Sequence, residues 1–150
     1  ENCTSEDAIS REMERLSKEG FLKQEQADLV DCKMLARFFS SPIGQKLISG
    51  VSHLREFKFS ILDDGSHYGD NLEGEQVLLQ GVVDCALLEP DGITILDFKT
   101  DYVTDQTLQS LIDRYRPQIE TYAEALHRIY ELPIKAKYLY FFRLDHFAQV

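Results

Sequence analysis

The sequence carries the stretch Gly81-Val-Val-Asp84-Cys-Ala-Leu-Leu88-Glu-Pro-Asp-Gly92-Ile-Thr-Ile-Leu-Asp97-Phe-Lys99 near its middle. Two runs rich in branched aliphatic residues flank a Pro-Asp-Gly turn, and this arrangement is typical of a β-hairpin. Each run also carries a carboxylate at a position where an apolar residue would pack better. The stretch therefore predicts two antiparallel strands that bring acidic side chains together.

The face of the sheet to which each charged side chain points follows from the alternation of side chains along a strand. Asp97 and Lys99 are two residues apart, so they point to the same face of the sheet. If Leu88 pairs with Ile93 across the turn, Asp84 falls directly opposite Asp97 on the neighbouring strand. The hairpin then places two carboxylates and one ammonium group on one face.

Two carboxylates that face each other across a sheet repel, and strand pairing normally avoids this arrangement. A divalent cation between them would remove the conflict, because Mg²⁺ prefers oxygen ligands and usually takes one or two carboxylates plus substrate phosphate. Lys99 would then place its ammonium against a phosphate oxygen or an attacking water. One alternative is an exposed face of an antiparallel sheet, which the Asp-x-Lys pattern taken alone favours. Another is a bulge at Gly92, which would shift the register and separate the two aspartates.

Composition limits the class of protein. The 150 residues suffice for one domain with a sizeable core, and the apolar fraction of 43% is ordinary for a globular chain. No run is long enough for a transmembrane helix and the polar N-terminus is no signal peptide, so we expect no membrane association. Cys3, Cys32 and Cys85 are scattered without a Cys-x-x-Cys pair, which favours a reducing cytoplasm over disulfides, zinc or an iron–sulfur cluster.

The net charge of −10 counts against a protein that grips nucleic acid alone, because Lys and Arg neutralise phosphate. A nuclease can still be acidic overall if its carboxylates hold metal and a larger partner supplies the grip.

Periodicity and turn residues predict the remaining elements. Pro117 cannot continue a helix without a break, so we expect one helix to end before it and another to begin there. The predicted helices cover about 5–20, 21–39, 41–50, 106–115 and 116–131, and the strands cover 53–62, 76–88, 93–99 and 134–144. This order predicts an α/β fold, with a central mixed sheet flanked by helices and the hairpin at its centre.

The ordered set of Asp84, Asp97-Phe-Lys99 and Gln118-Ile-Glu-Thr-Tyr122 resembles the PD-(D/E)xK nuclease superfamily, and within it the RecB-type nucleases. Four phrases narrow the resemblance to the AddA family of bacterial helicase–nucleases, whose nuclease domain is C-terminal. They are Arg55-Glu56-Phe-Lys-Phe59, Gln80-Gly-Val-Val-Asp84, Asp97-Phe-Lys-Thr-Asp-Tyr-Val103 and Tyr115-Arg-Pro-Gln118. The resemblance implies a restriction-endonuclease-like core with an antiparallel catalytic hairpin.

The resemblance also implies roles for residues on the hairpin. Asp84 and Asp97 would be metal ligands, with the backbone carbonyl of Phe98 as a third. Lys99 would be the catalytic lysine. The metal would be Mg²⁺, for which Mn²⁺ can substitute.

The family's Gln-x-x-x-Tyr motif falls on Gln118 and Tyr122, one helical turn apart on the same face. Gln118 would reach Lys99 or the scissile phosphate, and Tyr122 would brace Gln118 or touch DNA. A tyrosine packed in the core, with a wet hydroxyl, is the alternative for Tyr122.

Four further residues are candidates, and three of them have equally plain alternatives. Arg114 and Arg116 would bind DNA phosphate, or would pair with acidic neighbours on a solvated helix face. Glu56 would support the site from behind the metal ligands, or would be an exposed strand residue. Asp101 would orient the lysine that precedes it.

Two departures from the family pattern bear on the ligands. RecB-type nucleases carry a metal-binding histidine on an early helix, whereas here only His53 and His67 precede Asp84, and neither lies on a predicted helix. We expect the missing histidine to lie upstream, and this chain to be weakly active as a fragment of a larger helicase–nuclease. The related AddB-type nucleases add the cysteines of an iron–sulfur cluster, which this sequence cannot supply.

The function implied is Mg²⁺-dependent exonucleolytic hydrolysis of DNA single strands, delivered by a helicase during double-strand break repair and recombination. The implied partners are DNA, the upstream helicase domains of the same chain and a protein of the AddB type, in the bacterial cytoplasm. Residues 1–150 would form one nuclease domain, with a helical packing region at 1–50 and the core at 51–150. The alternatives are a catalytically inactive docking or DNA-clamping domain of the same fold and a restriction-type endonuclease.

Overall fold

The computed structural model describes residues 4–150, and Cys3 lies outside them. Four short helices come first, followed by three strands, a long helix and two further strands. Their bounds are α1 Glu6–Lys18, α2 Gln24–Asp28, α3 Cys32–Ser40, α4 Pro42–Ile48, β1 His53–Asp64, β2 Gln76–Glu89, β3 Gly92–Lys99, α5 Leu108–Tyr130, β4 Ile134–Phe141 and β5 His146–Gln149. Three single turns of 3₁₀-helix, at Gly65–His67, Asp70–Leu72 and Phe142–Leu144, complete the described elements.

The five strands form one mixed sheet in the order β1-β2-β3-β4-β5, with β3 at its centre. All neighbouring strands are antiparallel except β3 and β4, which are parallel because α5 carries the chain back to the starting edge. The predicted α/β fold with a mixed sheet flanked by helices is therefore confirmed.

The hairpin has the predicted register. Leu88 pairs with Ile93, and the pairing continues without a shift as far as Cys85 and Leu96. Gly92 follows the turn with φ of 141°, a backbone conformation that favours glycine. No bulge occurs at Gly92, so Asp84 and Asp97 occupy adjoining strands one position beyond the last pair.

Helices cover both faces of the sheet and create two cores. On one face α5 packs against the sheet through its buried residues, listed here in order: Ile119, Tyr122, Ala123, Ala125 and Leu126. On the other face α3 and α4 insert Phe38 and Leu47 among aromatic side chains. Phe38 lies at the centre of that cluster, with ring centroids 5.3 Å from Phe98 and 5.0 Å from Tyr140.

Two helices begin at serine caps close to their predicted starts. The Ser5 hydroxyl accepts a hydrogen bond from the amide of Ala8 at 3.2 Å, and the Ser41 hydroxyl accepts one from Gly44 at 3.0 Å. Pro42 occupies the first turn of α4, where its missing amide hydrogen costs nothing.

The single helix predicted over residues 21–39 is wrong, because the chain forms α2 and α3 with a break between them. Asp31 causes the break, since its side chain accepts a hydrogen bond from the amide of Met34 at 3.0 Å and thereby starts a new helix.

The predicted division of the next helical segment at Pro117 is also wrong, since α5 runs continuously through the proline. The loss of one backbone hydrogen bond is offset by the apolar side chains that the helix buries beyond that point.

The final predicted strand, 134–144, is too long. It ends at Phe141, and Asp145 then takes a left-handed conformation (φ 49°) that turns the chain into β5. Two contacts hold this turn: the hydroxyl of Tyr140 donates to Asp145 at 2.7 Å, and the backbone amide of Asp145 donates to the carbonyl of Phe142 at 3.2 Å. A fifth strand was not predicted, because its four residues are too short for a periodic pattern.

No helix among residues 4–150 is long and apolar enough to cross a membrane.

Candidate active site

Asp97 and Lys99 lie at the end of the central strand and are almost fully buried. Their exposed fractions are 2% and 8%. Both lie on one face, as the alternation predicted, and this is the face covered by α5. The Lys99 ammonium lies 2.5 Å from Asp97 Oδ2. Charged side chains are rarely this deeply buried unless they are paired. The alternative of an exposed sheet face therefore does not apply to Asp97 and Lys99.

The carboxylate depends on this pair. Asp97 Oδ2 is buried, and among the described residues the Lys99 ammonium is the group that compensates its charge. Burial raises the pKa of Asp97 to about 6, Lys99 opposes this effect, and Asp84 adds to it. The pKa of the carboxyl group therefore stays raised in spite of the ion pair.

Asp84 lies beside this carboxylate on β2. One of its oxygens, Oδ2, accepts a hydrogen bond from the backbone amide of Phe98 at 2.9 Å, which fixes Asp84 against the strand that carries Asp97. Asp84 is only half-buried. The two carboxylates lie beside each other, but they do not share one face as predicted, because Asp84 lines a cavity on the side of α3 and α4 while Asp97 faces α5.

The alternation of side chains reverses at Asp84. Val83 and Ala86 belong to the core under α5, whereas Cys85 belongs to the core under α3 and α4, so residues 83 and 85 face opposite sides. The same rung of β1 holds Glu56, which has a left-handed φ of 46°. Arg55 and Phe57 on either side of Glu56 pair normally with β2, so the irregularity affects one rung without changing the register.

This irregular rung opens onto a cavity of about 470 Å³ on the side of α3 and α4. Its polar lining comes from Asp84, Glu56 and Arg55, and the rest is apolar: Leu35, Phe38, Phe39, Leu47, Cys85, Phe98 and Phe142. Glu56 is exposed and shares this cavity with Asp84. The cavity could not be predicted from the sequence of β1 and β2, because the prediction assumes that side chains alternate between the two faces without interruption.

Gln118 and Tyr122 approach the lysine from α5. Lys99 donates to Gln118 Oε1 at 3.1 Å, and Gln118 Nε2 donates to the hydroxyl of Tyr122 at 2.7 Å. Tyr122 is 7% exposed and packs edge-on against Phe59, with ring centroids 5.9 Å apart. Two alternatives had been expected for each residue. Gln118 contacts Lys99, and Tyr122 supports Gln118 from inside the core.

Sequence reasoning gave no role to Tyr115, which also contacts the lysine. The Lys99 ammonium lies 3.8 Å from the centroid of the Tyr115 ring. The Tyr115 hydroxyl donates to both carboxylate oxygens of Asp101, at 3.0 and 3.1 Å. Asp101 therefore holds Tyr115, rather than touching Lys99 as expected. Tyr115 precedes Gln118 by about one helical turn and so lies on the same side of the helix. This spacing is the sequence signal that could have identified Tyr115 as a site residue.

The two candidate arginines differ in their surroundings. The Arg114 guanidinium carbon lies 5.6 Å from the centroid of the Tyr115 ring, which places this cation near the lysine. Arg116 lies 3.7 Å from Asp113, and both side chains are largely exposed. For Arg116 the contact present is the ion pair on a solvated helix face, the alternative named for it.

The donors of the site suit a hard divalent cation. Asp84 and Asp97 offer carboxylate oxygens, and Mg²⁺ prefers such ligands. Residues 4–150 contain no cluster of three or more His, Cys, Asp or Glu side chains arranged for a metal. His53 and His67 make their own contacts elsewhere, with the Val51 carbonyl at 2.9 Å and with Asp63 at 3.3 Å. The carboxylates present therefore suit a divalent cation, but the described residues supply only part of a full set of ligands.

A mixed sheet with a buried Asp-x-Lys on its central strand, a second Asp on the preceding strand and a Gln on the covering helix defines a nuclease core of one class. Residues 1–148 match the family model of the PD-(D/E)XK nuclease superfamily, and the chain belongs to this superfamily. The resemblance drawn from the sequence motifs is confirmed.

More particular relatives are named as the A subunit of an ATP-dependent helicase/nuclease. The chain is 39% identical to the protein of Oceanobacillus iheyensis over 145 residues, 37% to that of Acetivibrio thermocellus over 139, and 34% to that of Clostridium novyi over 155. These matches cover 92%, 89% and 100% of this chain. The chain spans only 11–12% of the length of these relatives.

Proposed function

We propose that this chain is the metal-dependent nuclease domain of a helicase–nuclease and that it hydrolyses phosphodiester bonds of DNA. The observation that carries the proposal is the buried Asp97–Lys99 pair, whose carboxylate lies beside a second carboxylate, that of Asp84. Membership of the nuclease superfamily and the names of the relatives support it.

Three groups on the hairpin would hold the cation. They are the carboxylates of Asp84 and Asp97 and the backbone carbonyl of Phe98, with Mg²⁺ as the ion and Mn²⁺ as a substitute. When bound, such an ion polarises a phosphoryl oxygen and lowers the pKa of a water molecule. Glu56 shares the cavity of Asp84 and supports this side of the site as a further carboxylate.

Lys99 would orient the attacking water and offset the charge that develops on the phosphate. An ammonium group has three N–H donors. Asp97 and Gln118 hold the ammonium at 2.5 and 3.1 Å, which leaves donor capacity for water or phosphate. Tyr122 keeps Gln118 in place, so these residues fix the direction of the lysine before substrate arrives.

The DNA would approach along the exposed start of α5. Arg114 lies close enough to the lysine to contact a phosphate of the bound strand, and we assign Arg116 a weaker, more distant contact. Since the chain carries a net charge of −10, most of the DNA grip would come from other domains.

The whole protein would deliver the substrate. We infer that upstream helicase domains of the same chain unwind the duplex, that a protein of the AddB type binds alongside, and that cleavage serves recombination and break repair in the cytoplasm. Residues 1–50 would act as the helical packing region of one nuclease domain, with the core at 51–150. The alternative is a docking or DNA-clamping domain without turnover, favoured by the incomplete ligand set among residues 4–150.

Calorimetric titration of Mn²⁺ and Mg²⁺ tests the proposal, with cleavage of single-stranded DNA assayed in parallel. The variants are Asp97→Ala and, as a control, Asp105→Ala, which removes an exposed carboxylate outside the site. The proposal requires cation binding and cleavage that Asp97→Ala abolishes and Asp105→Ala preserves. Binding without cleavage would favour the docking domain, and cleavage unaffected by Asp97→Ala would overturn the assignment of the site.

A further inference from the structure

We propose that Tyr115 is a positioning residue for Lys99: its ring sets the direction of the ammonium group, and Asp101 locks the ring in place. This inference rests on the proposed function, because it concerns the lysine of that reaction. It adds a residue and a mechanism of orientation that the nuclease motif does not contain.

The first step is the contact between the ammonium and the ring. The distance of 3.8 Å from Lys99 Nζ to the ring centroid is well within the range of cation–π attraction, which extends to about 6 Å. Such contacts strengthen when water is excluded, and Lys99 is only 8% exposed. The Tyr115 ring therefore forms a substantial part of the environment of the Lys99 ammonium group.

The second step is the fixation of the ring. Both oxygens of Asp101 accept from the one hydroxyl of Tyr115, so the side chain cannot swing away from the lysine without breaking this contact. Burial, and after it the hydrogen bond to Asp101, raises the pKa of Tyr115. The hydroxyl accordingly stays a neutral donor over the working range of pH, and the ring keeps the electron-rich face that attracts a cation.

The third step is the reason that the lysine needs this support. The side chain has a flexible four-carbon stem and loses much rotamer freedom when it is held in one direction. Asp97 is a poor sole anchor, because its carboxylate is also proposed to hold the cation. The Tyr115 ring competes for no carboxylate oxygen, so it holds the ammonium whether or not Asp97 has another partner.

The test compares Tyr115→Leu, which removes the ring, with Tyr115→Phe, which keeps the ring and removes the hydroxyl. Tyr68→Phe is the matched control, because the Tyr68 hydroxyl also donates to an aspartate, Asp63, at 2.8 Å but lies away from the lysine. Asp101→Asn tests the lock independently of the ring.

The first readout is the NMR chemical shift of the Lys99 ε-methylene group in metal-free protein, assigned by its loss in Lys99→Gln. A ring this close shifts these protons upfield. We expect the shift to collapse to the exposed-lysine value in Tyr115→Leu, to decrease in Tyr115→Phe and Asp101→Asn, and to stay unchanged in Tyr68→Phe.

The second readout is single-strand cleavage. Because small misplacements of a reacting group are costly, we expect Tyr115→Leu to lower kcat by about 10-fold to 100-fold, with KM and cation affinity nearly unchanged. Tyr115→Phe should lose a smaller factor. An unmoved Lys99 shift in Tyr115→Leu, or a collapsed shift with unchanged kcat, overturns the inference.

Two further outcomes are kept distinct. If Tyr115→Leu does not fold, Tyr115→Phe and Asp101→Asn provide the test. The inference then requires that the upfield chemical shift of Lys99 and kcat decrease together in these two variants. If the wild type neither binds cation nor cleaves DNA, the proposed function has failed and the positioning role falls with it. The NMR arm would then establish whether the ring contact itself exists.

Discussion

Replacing Asp97 by asparagine should stabilise the metal-free protein at pH 8 while destroying its activity. Asparagine has nearly the shape of the protonated acid, but it brings no charge into the buried site. The wild-type carboxylate, by contrast, must ionise where the side chain is only 2% exposed. The variant therefore removes a cost that the native residue bears for function.

The magnitude follows from the pKa of Asp97, which burial raises from 3.8 to about 6. Between these two values the folded protein binds more protons than the unfolded chain, so its stability falls as the pH rises and levels off above the folded pKa. A shift of this size corresponds to roughly 3 kcal/mol, of which about 2 kcal/mol is lost between pH 4 and pH 8. The attraction of Lys99 is already contained in that pKa.

The assay is urea unfolding in EDTA at pH 4 and pH 8, followed by circular dichroism. The free energy of unfolding of Asp97→Asn should rise relative to wild type by about 2 kcal/mol between the two pH values. Asp105→Asn, which changes an exposed carboxylate, should follow the wild type. Parallel pH curves for wild type and Asp97→Asn would refute the reasoning, since Asp97 would then bear no buried charge. Added Mg²⁺ should stabilise the wild type alone, by RT ln(1 + [Mg²⁺]/Kd).

Three more substitutions test separate features. Lys99→Met should lower kcat for single-strand cleavage by about 10³-fold, the scale of losing one electrostatic donor, while calorimetric cation affinity changes little. Gly81→Ala places a Cβ 2.7 Å from the Phe59 ring and 3.1 Å from Tyr122, and this overpacking should cost about 1–3 kcal/mol in urea unfolding. Phe38→Ala empties the centre of the aromatic cluster and should cost about 3–5 kcal/mol, seen as a lower Tm.

Each of these has a simple contrary result. Cation affinity lost together with activity in Lys99→Met would mean that the lysine supports the ligands rather than the reaction. Ser60→Ala serves as the control for Gly81→Ala, because Ser60 is exposed on the neighbouring strand. Equal stability of the two variants would show that the close approach at Gly81 is relaxed in solution. A small effect of Phe38→Ala would mean that α3 contributes little to the fold.

The hairpin and its site were predictable because local chemistry determines them. The Pro-Asp-Gly turn fixed the register, and period-two alternation placed Asp97 and Lys99 on one face of the sheet. The start of α4 was likewise predictable, because a serine followed by proline begins a helix without reference to the rest of the chain.

Features that depend on tertiary packing were not predictable in the same way. The continuity of α5 through Pro117 required knowledge of the buried face that holds the helix together. The reversal of alternation at Asp84 and Glu56 changes no residue count, so no sequence pattern marks it. The contact of Tyr115 with Lys99 depends on how far α5 lies from the sheet, and helical spacing alone fixes only the side of the helix.

Pro117 gives α5 a point at which the helix can open in two parts. Because proline has no amide hydrogen, the carbonyl of Asp113 has no partner one turn ahead in the backbone ladder. The segment 119–126 holds several fully buried side chains, whereas 108–115 holds only partly buried ones. Hydrogen exchange should therefore reveal two units of unequal local stability, the weaker one carrying Tyr115 and the stronger one beginning just after Gln118. The lysine would thus be held by a tyrosine on the segment that opens first and by a glutamine at the boundary between the two units.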